Sequence, residues 1–301
     1  MYGDWSLTSQ GRAYRFGTPS HPVEVVDWAF AGDGYRTDDT SNPRADGLAF
    51  GQDFIDPGEL SIQLQIDFTT YPAGVVECAR RAWSARTEFS QAWRADGVRG
   101  RPGELSELIV GGEFMIEGRS RRVVWDDSAQ NVGFIRGQAY FSPAGTGLYD
   151  VSGAGGGWNA HTIGLMPPQH GGIRAPIKAP VTTAYESSRA RSFEVGGIDP
   201  VWPIVTIKGP LMTGAQLELT GGWRMPLNRA LGAFDVARID TRPGHRSMTL
   251  NGRPANLLRD DAVMLSDASI APGMQEIALR GRSLEGTATA SIEWLNRLGR
   301  N

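Results

Sequence analysis

Four histidines, His21, His161, His170 and His245, are the side chains of this 301-residue sequence that titrate nearest neutral pH, so a general base working there would have to be one of them. All four sit in Pro/Gly-rich loops, and none has a Gly-x-Ser-x-Gly elbow, a nucleophile setting or a second ligand at metal spacing beside it. The acidic doublets Asp126-Asp127 and Asp260-Asp261 invite comparison with the two carboxylates of a glycosidase. Adjacent residues on a strand point to opposite faces, however, so neither doublet can flank one substrate. Asp38, Asn42 and Asp46 offer oxygens in a polar run, but without the alternate-residue register and closing Glu of an EF-hand, and the run reads as a turn. The glycines of 153–157 lack the strand before and helix after that a dinucleotide site needs, and read as a bend. The single cysteine, Cys78, can close no internal disulfide. No catalytic, cofactor-binding or metal-binding residue is expected, and no enzyme.

Four tryptophans could instead offer stacking faces to a sugar: Trp158, Trp202, Trp223 and Trp294. Trp294 falls on the apolar side of an alternating segment and Trp202 lies between prolines, which suits core or interface anchors better. Carbohydrate binding is therefore the alternative reading. A net charge of -3 and a pI near 5.9 give no basic footprint, so specific nucleic-acid binding is not expected. The basic residues are almost all Arg, with Lys only at 178 and 208, the mark of a GC-rich genome. No apolar h-region opens the chain and no run of apolar residues is long enough to span a bilayer, so neither secretion by that route nor membrane insertion is expected.

The elements that would position such residues are mostly strands. Hydrophobic residues at 40%, with 39 Gly and 18 Pro scattered without period, favour many short strands joined by turns, and the length allows two cores. Residues 23–30 form an apolar strand, and 60–68 alternate cleanly, with Leu60, Ile62, Leu64, Ile66 and Phe68 inward and Ser61, Gln63, Gln65 and Asp67 outward. Residues 75–93 change period: Val76, Ala79, Ala82, Trp83, Phe89 and Trp93 recur at helical spacing, bounded by Gly74 and Asp96-Gly97. Residues 107–125 read as a hairpin broken at Gly111-Gly112 and again at 118–120, with Phe114, Ile116, Val123 and Trp125 toward the core. After the Gly/Pro-rich residues 151–187, short strands resume from Arg191, spaced as in a sandwich or jelly roll.

The closing stretch, 270–300, reads as a hairpin. Pro272-Gly273 makes a turn, Ile277 and Leu279 share one face of the first strand, and Ala288, Ala290, Ile292 and Trp294 share one face of the return. Together with Glu276, Gly281, Ser283, Gly286 and Thr287, this pattern resembles the closing segment of phage distal tail proteins, the baseplate hub proteins of long non-contractile tails. Two further stretches are similar to the same family: 203–211, which includes Gly209 and Pro210, and Ile239-Asp240 followed by 248–253, which includes Asn251 and Gly252. The matches cover about the last hundred residues and carry no catalytic motif. What the resemblance implies is a mainly β chain of two domains: an amino-terminal ring-forming domain at 1–150, a connection at 151–187, and a galectin-like β-sandwich at 188–301. It further implies a structural virion protein at the distal end of the tail, assembled in the host cytoplasm. Such a protein forms a homo-oligomeric, hexameric ring that joins the tail tube protein to tail-tip or baseplate hub proteins, with the tape-measure protein as a further partner. The alternative is a sugar-binding module at the tail tip.

Overall fold

A computed structural model describes residues 3–31, 34–41, 46, 48–72, 74–152, 155–165, 190–283 and 287–299. The chain is mainly β and divides into two compact units, Met1–Gly156 with Leu298–Asn301, and Gly157–Arg297.

In the first unit the strands are β1 (Trp5–Ser9), β2 (Arg12–Phe16), β3 (Glu24–Phe30), β4 (Gly34–Arg36), β5 (Thr40–Ser41), β6 (Leu48–Ala49), β7 (Phe54–Asp56), β8 (Leu60–Asp67), β9 (Ser106–Val110), β10 (Phe114–Asp126), β11 (Phe134–Pro143) and β12 (Leu148–Asp150). The main sheet is antiparallel in the order β2-β1-β9-β10-β11-β8-β3, with β12 paired to the start of β10. Helix α1 (Val75–Arg94) lies over one face, followed by the short α2 (Asp96–Arg99). The alternation of β8 is as expected, with Leu60, Ile62, Leu64 and Ile66 buried against the helix.

The helix keeps Ala82, Phe89 and Trp93 of the expected line and turns Val76 and Trp83 outward. Its buried line is Cys78, Ala82, Ala85, Phe89 and Trp93, spaced at three and four residues, whereas Val76 is 85% and Trp83 47% exposed on the opposite side. Spacing alone admits both stripes. The choice falls to the aromatic cluster, in which Phe89 meets Phe16 edge-on at 5.3 Å and stacks on Trp93 at 5.4 Å.

The hairpin at 107–125 also differs. Gly111 and Gly112, both with positive φ, do turn the chain from β9 into β10, but residues 118–120 interrupt nothing. Gly118 is needed because a Cβ there would stand 2.3 Å from the Ser142 carbonyl oxygen. Three residues on, the ladder to β11 slips between Ser120 and Val123, a bulge that switches the inward positions from even to odd numbers. That switch is why Ile116 and Trp125, out of phase in the sequence, enter the same core.

The second unit holds β13 (Trp158–Gly164), β14 (Ala190–Val195), β15 (Ile204–Lys208), β16 (Gln216–Leu219), β17 (Arg224–Pro226), β18 (Val236–Asp240), β19 (Ser247–Leu250), β20 (Arg253–Pro254), β21 (Gly273–Arg280) and β22 (Thr289–Leu295), with β23 (Arg297–Leu298) straddling the unit boundary. Two antiparallel sheets, β13-β22-β15-β18-β19-β20 and β14-β21-β16-β17, enclose one core. Val205, Ile207, Ile239, Ile292 and Trp294 enter it from the first sheet, and Phe193, Leu217, Ile277 and Leu279 from the second.

Two expectations are corrected here. Residues 270–300 are not a hairpin: β21 pairs with β14 and β16, β22 pairs with β13 and β15, and the chain between them crosses from one sheet to the other. Each strand's apolar side points into the core as read, from opposite walls. Within 151–187, Trp158–Gly164 is a strand rather than connection, paired along its length to β22.

Candidate functional site

The residues with chemical potential are separated in the structure. His21 lies 3.7 Å from the Asp4 carboxylate. His161, on β13, stacks on Phe193 at 5.2 Å with its Nε2 buried and unpartnered, and burial together with the nearby Arg191 charge lowers its pKa. His245 closes a turn onto the Arg242 carbonyl, and His170 lies outside the described residues. Asp126 accepts the Ser128 N–H at 3.0 Å, which holds its carboxyl below the usual range, while Asp127 pairs with Arg86 at 3.1 Å. Asp261 pairs with Arg259. Of the polar run, Asp38 and Asp46 are exposed and Asn42 lies outside the described residues. Among the described residues no group of three or more His, Cys, Asp or Glu could hold a metal.

The tryptophans make no sugar platform. Trp223 and Trp294 are buried, and Trp223 donates Nε1–H to the Ser269 carbonyl at 2.8 Å. Trp202 donates to Ser266 at 2.9 Å and carries Arg297 over its ring, and Trp158, the exposed one of the four, has the Arg242 guanidinium 5.5 Å from its ring centre. Arg242 is itself clamped by both oxygens of the buried Asp240.

The signature residues hold turns. Gly209 precedes Pro210 through a cis peptide, and a Cβ on Gly209 would stand 2.0 Å from the Gly232 carbonyl oxygen, so the two backbones touch there. Asn251 (φ 51) and Gly252 (φ 77) form the two-residue turn between β19 and β20. These positions meet at Asp235. Its carbonyl accepts the Gly209 N–H at 3.1 Å, and its carboxylate accepts the Asn251 amide and the Gly232 N–H, each at 2.8 Å, which lowers its pKa. The Asn251 Oδ1 in return accepts the Val236 N–H at 2.8 Å. Sequence reasoning missed Asp235, although an Asp immediately before a strand, facing an Asn-Gly turn, is a known local acceptor. Pro272 precedes Gly273 (φ 98), which opens β21. Glu276 accepts the Thr220 hydroxyl, and Ile277 is in the core. Thr287 is exposed just before β22, and Gly286 lies outside the described residues. Trp294 packs on Phe193 at 5.2 Å. These residues shape the second unit.

What remains is surface. Residues 31–59 continue the β3–β8 hairpin as an arm. Ala31 N–H bonds Glu59, then Gly34 faces Asp56, Tyr35 faces Ile55 and Arg36 faces Phe54 in one register, and Thr40 faces Ala49 one residue out of step with it. Both sides of β4 and β7 are exposed, including Tyr35, Phe54 and Ile55, and Phe50 is 86% exposed. With the outward stripe of α1, the first unit presents two separate apolar surfaces, the kind of feature that marks docking rather than catalysis.

No family model and no curated protein matches the chain. Among solved structures, the protein of the crystal structure of phage SPP1 Dit (gp 19.1), described as a paradigm of the hub adsorption apparatus in phages infecting Gram-positive bacteria, superposes with a TM-score of 0.58 at 10% identity, covering 97% of this chain and 98% of that one. A chain of the phage p2 baseplate in its activated conformation with Sr superposes with a TM-score of 0.52 at 8% identity, covering 96% and 97%. The chain has the fold of the SPP1 Dit hub protein, reached with almost no shared sequence.

Proposed function

We propose that the chain is a structural virion protein, the distal tail hub that joins the end of a tail tube to the baseplate or tail-tip proteins. The observation that carries this reading is that the likeness to a hub protein runs over both units, end to end in both chains. The three sequence matches to distal tail proteins lie in the second unit, and the arm and helix stripe of the first supply contact surface beyond what a monomer needs. On this reading the protein resides at the distal end of the tail of a long-tailed phage and forms a ring, hexameric by resemblance. The first unit makes the ring, and the second, a galectin-like sandwich, decorates its rim. The tail tube protein and tail-tip hub proteins are its neighbours, with the tape-measure protein reaching the same junction. A closed ring requires two different complementary patches per copy, and the arm and the helix stripe of the first unit are the surfaces that support this reading.

Negative-stain images of the purified full-length protein test this. Closed rings of uniform diameter are the expected result, and dispersed single particles at high concentration would overturn it.

A further inference from the structure

Two surfaces of the first unit lie outside its core. On α1, Val76, Arg80, Trp83 and Thr87 fall on one side at steps of four, three and four residues, opposite the buried line that ends at Trp93. The arm is the other. Tyr35 and Ile55, cross-strand partners and therefore on the same side of the ribbon, are both exposed, Tyr35 at 69%, while Phe54 on the other side is covered by the Arg36 guanidinium 5.2 Å from its ring centre.

Charge says which surface each would meet. Among the described residues of the arm, Asp38, Asp39, Asp46, Asp53, Asp56 and Glu59 stand against Arg36. Helix α1 is the reverse at its start, where Arg80 and Arg81 share Glu77, whereas farther along Arg86 is paired with Asp127 and Arg94 with Asp96. Glu77 already serves both Arg80, at 2.7 Å, and Arg81, at 2.9 Å, so guanidinium charge is left over beside the exposed Val76. An acidic apolar ribbon and a basic apolar stripe on one molecule are complementary to each other and not to themselves, which is the condition for a head-to-tail contact.

We propose that the arm of one copy docks on the outward stripe of α1 in the next copy, Tyr35 and Ile55 against Val76 and Trp83, with the arm's carboxylates over Arg80 and Arg81. This rests on the ring reading above and names the contact that closes the ring. Val76 and Trp83, two of the helix residues that the sequence offered as core, thus fall at the seam between copies.

The test uses the full chain with Cys78→Ala, carrying Ile55→Cys and Val76→Cys together and treated with a short bismaleimide. The expected result is a ladder of covalent multimers on a denaturing gel from the double variant, with monomer only from either single variant. A second variant, Val76→Asp with Trp83→Asp, should lose the oligomer peak in light scattering while keeping the thermal midpoint of the parent, since both residues are outside the core. Oligomers that persist without a ladder, and that survive the double Asp change, would overturn the docking while leaving the hub reading intact. A parent protein that is monomeric throughout would overturn both.

Discussion

At the scale of single residues, the sequence located the apolar positions of the second unit well and its polar ties poorly. Ala288, Ala290, Ile292 and Trp294 are all buried on the side read for them, because alternation on a strand is a direct imprint of one wet and one dry face. Trp294→Ala should cost about 3 to 5 kcal/mol in chemical denaturation, as for other large buried aromatics, and loss of its contact with Phe193 should appear as a changed tryptophan emission. Asp235 was missed because two of its partners, Gly209 and Asn251, come from other turns, and hydrogen bonds between loops leave no period. Asn251→Ala removes the bonds to Val236 and Asp235 and leaves a non-Gly residue at positive φ. A loss on the order of 1 to 3 kcal/mol in urea unfolding is expected, with Asn251→Gly recovering part of it. His161 gives a pH test. Its folded pKa is depressed below the ordinary 6.5 by burial and by Arg191, so the unfolded chain binds the proton more readily. Stability is therefore highest with His161 neutral and falls as pH drops through the unfolded value. In thermal melts from pH 8 to pH 5, His161→Phe should flatten that decline, and an unchanged slope would count against the assignment.

Elements teach a different lesson. Periodicity told which face of 273–280 and 289–295 is dry but not which strand lies beside each, and two strands that enter one core from opposite walls look in sequence like the two arms of a hairpin. The helix shows the same limit: two stripes were available in α1, and only the aromatic cluster around Phe89 decided between them. The bulge in β10 is the clearest element-scale device. Deleting the extra residue between Ser120 and Val123 would restore a regular ladder and leave Val123 opposite Ala139 and Trp125 opposite Gly137, so the core should survive it, whereas Trp125→Ala severs the contact with Phe89 and the bond to Ser90. The expected cost of that substitution is again about 3 to 5 kcal/mol, the range for losing a large aromatic, read as a lowered urea midpoint. Substituting Arg121 or Arg122 without changing the residue count should cost far less.

For the whole molecule, the expected boundary at 188 leaves out β13, which covers the flank of β22 and adds Ile163 to the core. A fragment of residues 157–297 is therefore expected to unfold in a single cooperative transition, whereas 188–301 should show a lower midpoint or precipitate, because β22 would then expose a bare edge. Equal stability of the two fragments would sink this. The placement of β22 between β13 and β15 also sets a timetable during translation. The ribosome delivers 158–164 early, yet that strand has no sheet to join until 289–295 emerge. At about 5 to 20 residues per second the wait is on the order of ten seconds. Throughout it the second unit is a nascent chain with an unfilled slot, while strands β1 to β12 of the first unit have already been made and only β23, which pairs with β12, is still to come. The growing polypeptide thus passes through a stage at which its first half has nearly all its strands and its second half still needs shelter.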